Sequence, residues 1–433
     1  MPSRFLSVVL CAATGAASCA PTAAVESMGA GAAAGTGIGS GAGSGGAGSF
    51  GGAKLHGNAQ AGTAGFMSTP SRFGDPRACG STAKVCGSGP ASFPVCEAGE
   101  CGIQCRGSFA DCNQTGSDGC EIDLQVDAKN CGACGRDCLG ASCNSGACGS
   151  ILLAAGQDQP KHLMVTGGLV YWTSNGAYQT PAVRQLAAPG GAMPMEVAGY
   201  PGNTWGITAD DTSIYWTCND GGTKGAWVRD KALLTSARYI SGGVDGARGI
   251  AVEGGTIYWA AEGASGALEG AVMSVKLDGT SQQKLAEKID RPLDVIAKDG
   301  VVYFSAAKGI YKVSAPGSSS ILVGGLVRPV GLRLFNNSLY WVDSATGEVS
   351  TVPLAGGTPQ LLAIDPSEPA DLAVDASGIY WVNRSGKVMA LQKGASLPVA
   401  LATGEVDLAG IALDASAVYY TSQGEHSVKK VAK

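Results

Sequence analysis

Between residues 162 and 421 one alternation of apolar and polar positions recurs seven times. Its first apolar column reads Leu163, Ile207, Ile250, Val295, Leu332, Leu372 and Ile411. Two residues on come Val165, Ala209, Val252, Ala297, Leu334, Val374 and Leu413. An apolar residue at every second position is the period of a half-buried strand. Tight-turn pairs follow, among them Gly167-Gly168, Asp210-Asp211, Gly254-Gly255, Asp299-Gly300 and Asn336-Asn337. A second strand then carries an aromatic pair: Tyr171-Trp172, Tyr215-Trp216, Tyr258-Trp259, Tyr303-Phe304, Tyr340-Trp341, Tyr380-Trp381 and Tyr419-Tyr420. A third strand is legible in Ala271 to Val275 and Glu348 to Val352, and a fourth in Gln360 to Ala363.

Successive tyrosines lie 44, 43, 45, 37, 40 and 39 residues apart. Four short strands at a period near forty predict an all-β fold, a seven-bladed β-propeller. The seventh repeat stops after its third strand, Ser427 to Val431, while a spare strand, Ile151 to Ala154, precedes the first repeat. The N-terminal strand is therefore expected to complete the last blade, which removes the exposed edge a broken ring would leave. The regular placement of the Tyr-Trp pairs assigns them to packing between blades rather than to a stacking surface.

The rest of the chain divides into a leader at 1–18, a low-complexity segment at 19–78, a cysteine-rich module at 79–148 and the propeller at 149–433. Arg4 and the short apolar run Phe5 to Ala13 form a secretory leader too short to span a bilayer. Gly29 to Gly65 is nearly all small residues and predicts a disordered tether. Cys79, Cys86, Cys96, Cys101, Cys105, Cys112, Cys120, Cys131, Cys134, Cys138, Cys143 and Cys148 crowd into a module with few apolar residues. In an exported chain these predict up to six disulfides in place of a core, with zinc thiolates as the alternative. Cys218, in the repeat region, reads as a small buried residue. Asp111, Asn113, Asp118, Glu121 and Asp123 are oxygen donors for turns or for calcium. A net charge of -5 argues against nucleic acid as a partner.

Three resemblances follow from these residues. Gly15-Ala16-Ala17-Ser18-Cys19 resembles a bacterial lipobox, which implies lipidation at Cys19, a lipid anchor in the membrane and, through Ala20, sorting to the outer membrane or cell surface. Without the anchor the protein would be periplasmic or secreted. Asp111-Cys112-Asn113, Asp118-Gly119-Cys120-Glu121 and Asn130 to Gly135 resemble a cysteine-rich module of secreted bacterial proteins, which implies no activity. The repeats resemble the YWTD propellers of low-density-lipoprotein-receptor type, which implies a ligand-binding scaffold. Here there are seven copies where that family has six. Only Asp343 fills the fourth motif position, which elsewhere holds Ser174, Cys218, Ala261, Ala306, Asn383 and Ser422.

No nucleophile elbow, phosphate loop or metalloprotease motif occurs. The column nine residues before each repeat tyrosine holds His162, Asp294 and Asp371 among four glycines, with Lys161, Trp205, Arg248, Arg291, Arg328, Glu368 and Asp407 nearby. These residues gather where the innermost strands begin, at one mouth of the central channel. Asp294, Asp371 and His162 are candidate ligands for calcium or another divalent cation, with Arg248, Arg291 and Arg328 as an anion clamp. Structural carboxylates bonded to backbone are the other reading. The sequence thus points to a monomeric exported scaffold for a protein or small extracellular ligand, with no cofactor expected. Metal-assisted lyase or hydrolase chemistry and an architectural envelope role are the alternatives.

Overall fold

The structure, a computed structural model, describes residues 74–433 except 177–180, 200–201, 220–223, 233–236, 265–267 and 366. The leader, Cys19 and most of the low-complexity segment lie outside the described residues.

Seven four-stranded antiparallel sheets make a propeller, and the described residues contain no helix. The innermost strands are Pro160–Thr166, Thr204–Ala209, Ala247–Glu253, Val295–Lys298, Pro329–Phe335, Pro369–Asp375 and Leu408–Leu413, and they define blades 1 to 7. Blade 7 takes its outermost strand from the other end of the chain. Ser427–Ala432 pairs antiparallel with Ile151–Ala154, setting Val428 opposite Ala154 and Lys430 opposite Ile151.

The Tyr-Trp pair has a physical reason. Adjacent residues of a strand point to opposite faces, so the two rings of one blade serve two different interfaces. Each tyrosine shares a core cluster with the second aromatic of the following blade: Tyr171 with Trp216, Tyr215 with Trp259, Tyr258 with Phe304 and Tyr303 with Trp341. The series continues with Tyr340 and Trp381, Tyr380 and Tyr420, and across the closure Tyr419 and Trp172. The motif is the glue between blades.

Hydroxyls next to the pair tie the innermost strands together. Thr217 accepts the Gly206 N–H at 2.9 Å and donates to the Arg248 carbonyl of the next blade. Thr421 accepts from Gly410 and donates across the closure to the Lys161 carbonyl at 2.6 Å. Glycine is needed beside this bond because the strands approach closely. A Cβ on Gly206 would lie 2.6 Å from the Arg248 oxygen. The links ahead of three innermost strands supply acceptors for buried aromatic donors: Gln157 for Trp172, Asp365 for Trp381 and Glu405 for Tyr420.

The cysteine module is oxidised throughout. Its bridges join Cys79 to Cys96, Cys86 to Cys101, Cys105 to Cys120, Cys112 to Cys134, Cys131 to Cys143 and Cys138 to Cys148. Its C-terminal half is built into the propeller. Cys131, Cys138, Cys143 and Cys148 share a core cluster with Tyr380, Leu408 and Tyr420, and Arg136 donates to the Lys433 carbonyl at 3.1 Å. Cys79, Cys86 and Cys96 form a cluster of their own. Cys218 is fully buried in blade 2.

Candidate functional site at the channel mouth

All seven innermost strands run in one direction around a central channel of about 500 Å³. His162 and Asp294 line it, and so does Arg333, a residue outside the column read from the sequence. Asp371 does not face the channel. It is 2 % exposed, and Arg333 binds its two oxygens at 2.8 and 3.0 Å. It also accepts N–H bonds from Leu372 and from Ile411 of blade 7. Asp294 directs Oδ2 at the Gly331 N–H of blade 5, 2.7 Å away. Where the column holds glycine, neighbouring strands touch; where it holds aspartate, a carboxylate bonds the next blade's backbone instead.

Burial shapes the charges here. Desolvation pushes His162 down to about 4 against the attraction of Asp294, with Arg333, Lys161 and Arg248 adding to the fall. The imidazole is therefore neutral at pH 7. Desolvation lifts Asp371 to about 6, partly offset by Arg333, while Asp294 adds to the rise.

One residue before this column lies a ring that is partly exposed in every blade: Lys161, Trp205 and Arg248, then Leu293, Val330, Ala370 and Ala409. The mouth is thus asymmetric. Blades 1 to 3 present two cations about one indole, and blades 4 to 7 present small or aliphatic side chains. The Lys161 ammonium lies 3.8 Å from the centroid of the Trp205 ring, and the Arg248 guanidinium lies at the same distance. His162 tilts against Trp205 from below, with centroids 6.0 Å apart. Arg248 is held by Glu262, with Nε at 2.7 Å.

The other predicted arginines stand apart from this cluster. Arg291 is exposed and pairs with its neighbour Asp290 at 3.3 Å. Arg328 is exposed, and its backbone N–H is bound by the buried carboxylate of Asp343. Arg384 pairs with Asp407 at 2.9 Å. The structure therefore brings together His162, Asp294 and Arg248 with Lys161 and Trp205, and leaves Arg291 and Arg328 on the rim. Arg333 carries a sequence signal of its own: it is the one charge in the column Met164, Thr208, Ala251, Ile296, Arg333, Ala373 and Ala412.

In the cysteine module, oxygens of Asp111, Asp118 and Glu121 converge within 4.8 Å. Asp111 and Asn113 both accept the Thr115 N–H, and Asn113 donates to Asp118 at 3.0 Å, the bonding of a tight turn.

No protein-family model matches the chain, and no curated protein sequence matches it. Among solved structures, the chain is similar to a catalytically inactive virginiamycin B lyase from Staphylococcus aureus with quinupristin. That likeness is at 15% identity and a TM-score of 0.54, over 66% of this chain and 98% of that one. It is similar to the extracellular domain of a putative one-component system from B. thetaiotaomicron at 12% identity and a TM-score of 0.50, over 65% of this chain and 39% of that one. A nidogen/laminin complex aligns at 20% identity with a TM-score of 0.39, over 46% of this chain and 79% of that one. At these identities the first two likenesses are ones of fold.

Proposed function

We propose that this is an exported, ligand-binding propeller whose site is the asymmetric channel mouth. The observation that carries the reading is the partly exposed Trp205 ring, gripped by cations from the blades on either side of it. A residue that only packed blades together would be buried, as the repeat tryptophans are. Trp205 instead stands at the opening of a deep channel, where an aromatic with charged neighbours marks a recognition surface. Export is supported by the six-disulfide module, which persists in oxidising compartments, and by the leader read from the sequence. Lipidation at Cys19, the YWTD kinship and a monomeric state belong to the same proposal.

Metal-assisted chemistry gains less support from the donors. Calcium takes six to eight oxygens, whereas Asp371 is already bound by Arg333 and two backbone N–H groups. The test is a thermal-shift screen of the full chain and of Trp205→Ala against sugars, organic acids, amines, peptides and divalent cations. One class that stabilises the wild type and not the variant supports the reading. Equal effects on both proteins, or none with any class, would sink it.

A further inference from the structure

We propose that the channel mouth takes a small organic anion, a carboxylate on a flat or apolar body. This rests on the reading of the mouth as the ligand site and adds the ligand's chemistry.

The first argument is what already covers the indole. Sugars and cationic ligands are recognised on bare aromatic faces. Here the protein's own Lys161 and Arg248 occupy the Trp205 ring, each 3.8 Å from its centroid. An arriving group therefore meets two positive charges seated on the indole, not a bare ring.

The second argument is charge balance. Glu262 holds Arg248, and Asp407 holds Arg384. Among the described residues no carboxylate lies within ion-pair distance of Lys161. Its ammonium is repelled by Arg248 and Arg384 and attracted by Asp407. Desolvation is the larger cause of its depressed basicity, and together these lower it to about 8. An anion at this point would replace the lost hydration and relieve the repulsion between the two cations.

The third argument is shape. The opposite arc of the mouth, Leu293, Val330, Ala370 and Ala409, is apolar and short. Below it the channel offers about 500 Å³ with a neutral imidazole at its top. An inorganic ion would use only the cationic arc. An organic acid uses both, its carboxylate toward Lys161 and Arg248 and its body toward Leu293 and the channel.

Proton linkage gives the site a signature. A bound anion favours charged Lys161, so affinity should hold below about pH 8 and fall above it as the free ammonium loses its proton. His162, lowered to about 4, stays neutral through that range.

The experiment is calorimetric titration of the full chain with benzoate, its neutral isostere benzamide and inorganic phosphate. Benzoate is expected to bind at least about tenfold more tightly than either of the others. Lys161→Met and Arg248→Met should each weaken it about tenfold, and Lys161→Met should flatten the fall above pH 8. Lys284→Met, on the outermost strand of blade 3, should bind as the wild type does. Melting curves establish that each variant is folded. Benzamide binding as tightly as benzoate, or undiminished binding by both mouth variants, overturns the proposal. So does the absence of benzoate binding at millimolar concentrations. If sugars or amines stabilise the wild type but not Trp205→Ala while benzoate does nothing, the mouth remains the site and only the anion is wrong. If no class depends on Trp205, both readings fall.

Discussion

Arg333 of blade 5 reaches into blade 6 and binds both carboxylate oxygens of Asp371, at 2.8 and 3.0 Å. Through the Ile411 N–H the same carboxylate reaches blade 7, so one ion pair, buried at Asp371 and open to the channel at Arg333, spans three blades. Removing the guanidinium takes away the attraction that offsets desolvation, so the buried Asp371 carboxyl is left either as an unpaired charge or with an added proton, and both states cost stability. Arg333→Met should cost about 3–5 kcal/mol of stability. Adding Asp371→Asn should recover most of it, because no buried carboxyl is then left without its partner. Urea denaturation of the two single variants and the double variant measures this; a double variant as unstable as Arg333→Met would contradict it.

The channel also sets two opposed pH dependences. His162 has its basicity lowered to about 4, so its contribution to stability is complete above its ordinary value near 6.5 and is lost as pH falls toward 4. Asp371 is raised to about 6, so its contribution is complete below about 3.8 and is lost as pH rises through 6. Between pH 4 and 6 the two trends oppose one another. In Asp371→Asn, stability should rise more steeply with pH over this window than in the wild type. In His162→Gln it should rise less steeply or fall. Identical pH slopes in all three proteins would contradict the assignment.

Closure of the ring rests on few residues. Deleting Gly149 to Gln157 removes the outermost strand of blade 7, the buried Leu153 and Ala154, the Gln157 acceptor of Trp172 and the Ser150 partner of Glu405. Leu153 alone is worth about 1.5–3 kcal/mol, and the orphaned indole N–H adds about 1–3 kcal/mol. The deletion should lower the melting temperature of the whole propeller in one cooperative step. An unchanged transition would refute closure by this strand.

The two halves of the cysteine module should behave differently. Replacing Cys138 and Cys148 by serine opens a bridge whose sulfurs pack in one cluster with Leu408 and Tyr420. That change should destabilise the propeller by about 2–5 kcal/mol. Replacing Cys79 and Cys96 opens a bridge in a separate cluster and should leave the propeller transition where it was. Differential scanning calorimetry on the two double variants compares them directly.

These cases show what was legible in the chain. The blades were, because side-chain alternation and a period near forty follow from strand geometry whatever the ligand. Closure was too, since a repeat short of one strand and a spare strand at the other end admit few arrangements. Cysteine pairing was not, because twelve thiols allow many connectivities and the choice depends on which sulfurs meet in space. Nor was the docking of Cys131 to Cys148 on blades 6 and 7, which depends on surfaces far apart in sequence. At the mouth, residue types could be gathered by alignment, but their partners could not. Asp294 and Asp371 looked like a facing pair, yet each reaches a neighbouring backbone. Arg333 lies two residues beyond the column in view. Lys161 and Trp205 stood among the neighbours of the mouth, while their stacking is set by side-chain packing alone.

The most direct measurement on the central claim uses fluorine resonances from a chain labelled with 5-fluorotryptophan. Of the seven tryptophans, Trp172, Trp216, Trp259, Trp341 and Trp381 are buried between blades, and Trp227 leans on Trp216 with centroids 6.3 Å apart. Only Trp205 stands at the mouth among cations, and Trp205→Phe assigns its signal. Titration with benzoate should move the Trp205 resonance in a saturable way and leave the other six in place. Saturable shifts confined to other tryptophans, or no shift at any of them, would contradict an organic-anion site at the channel mouth.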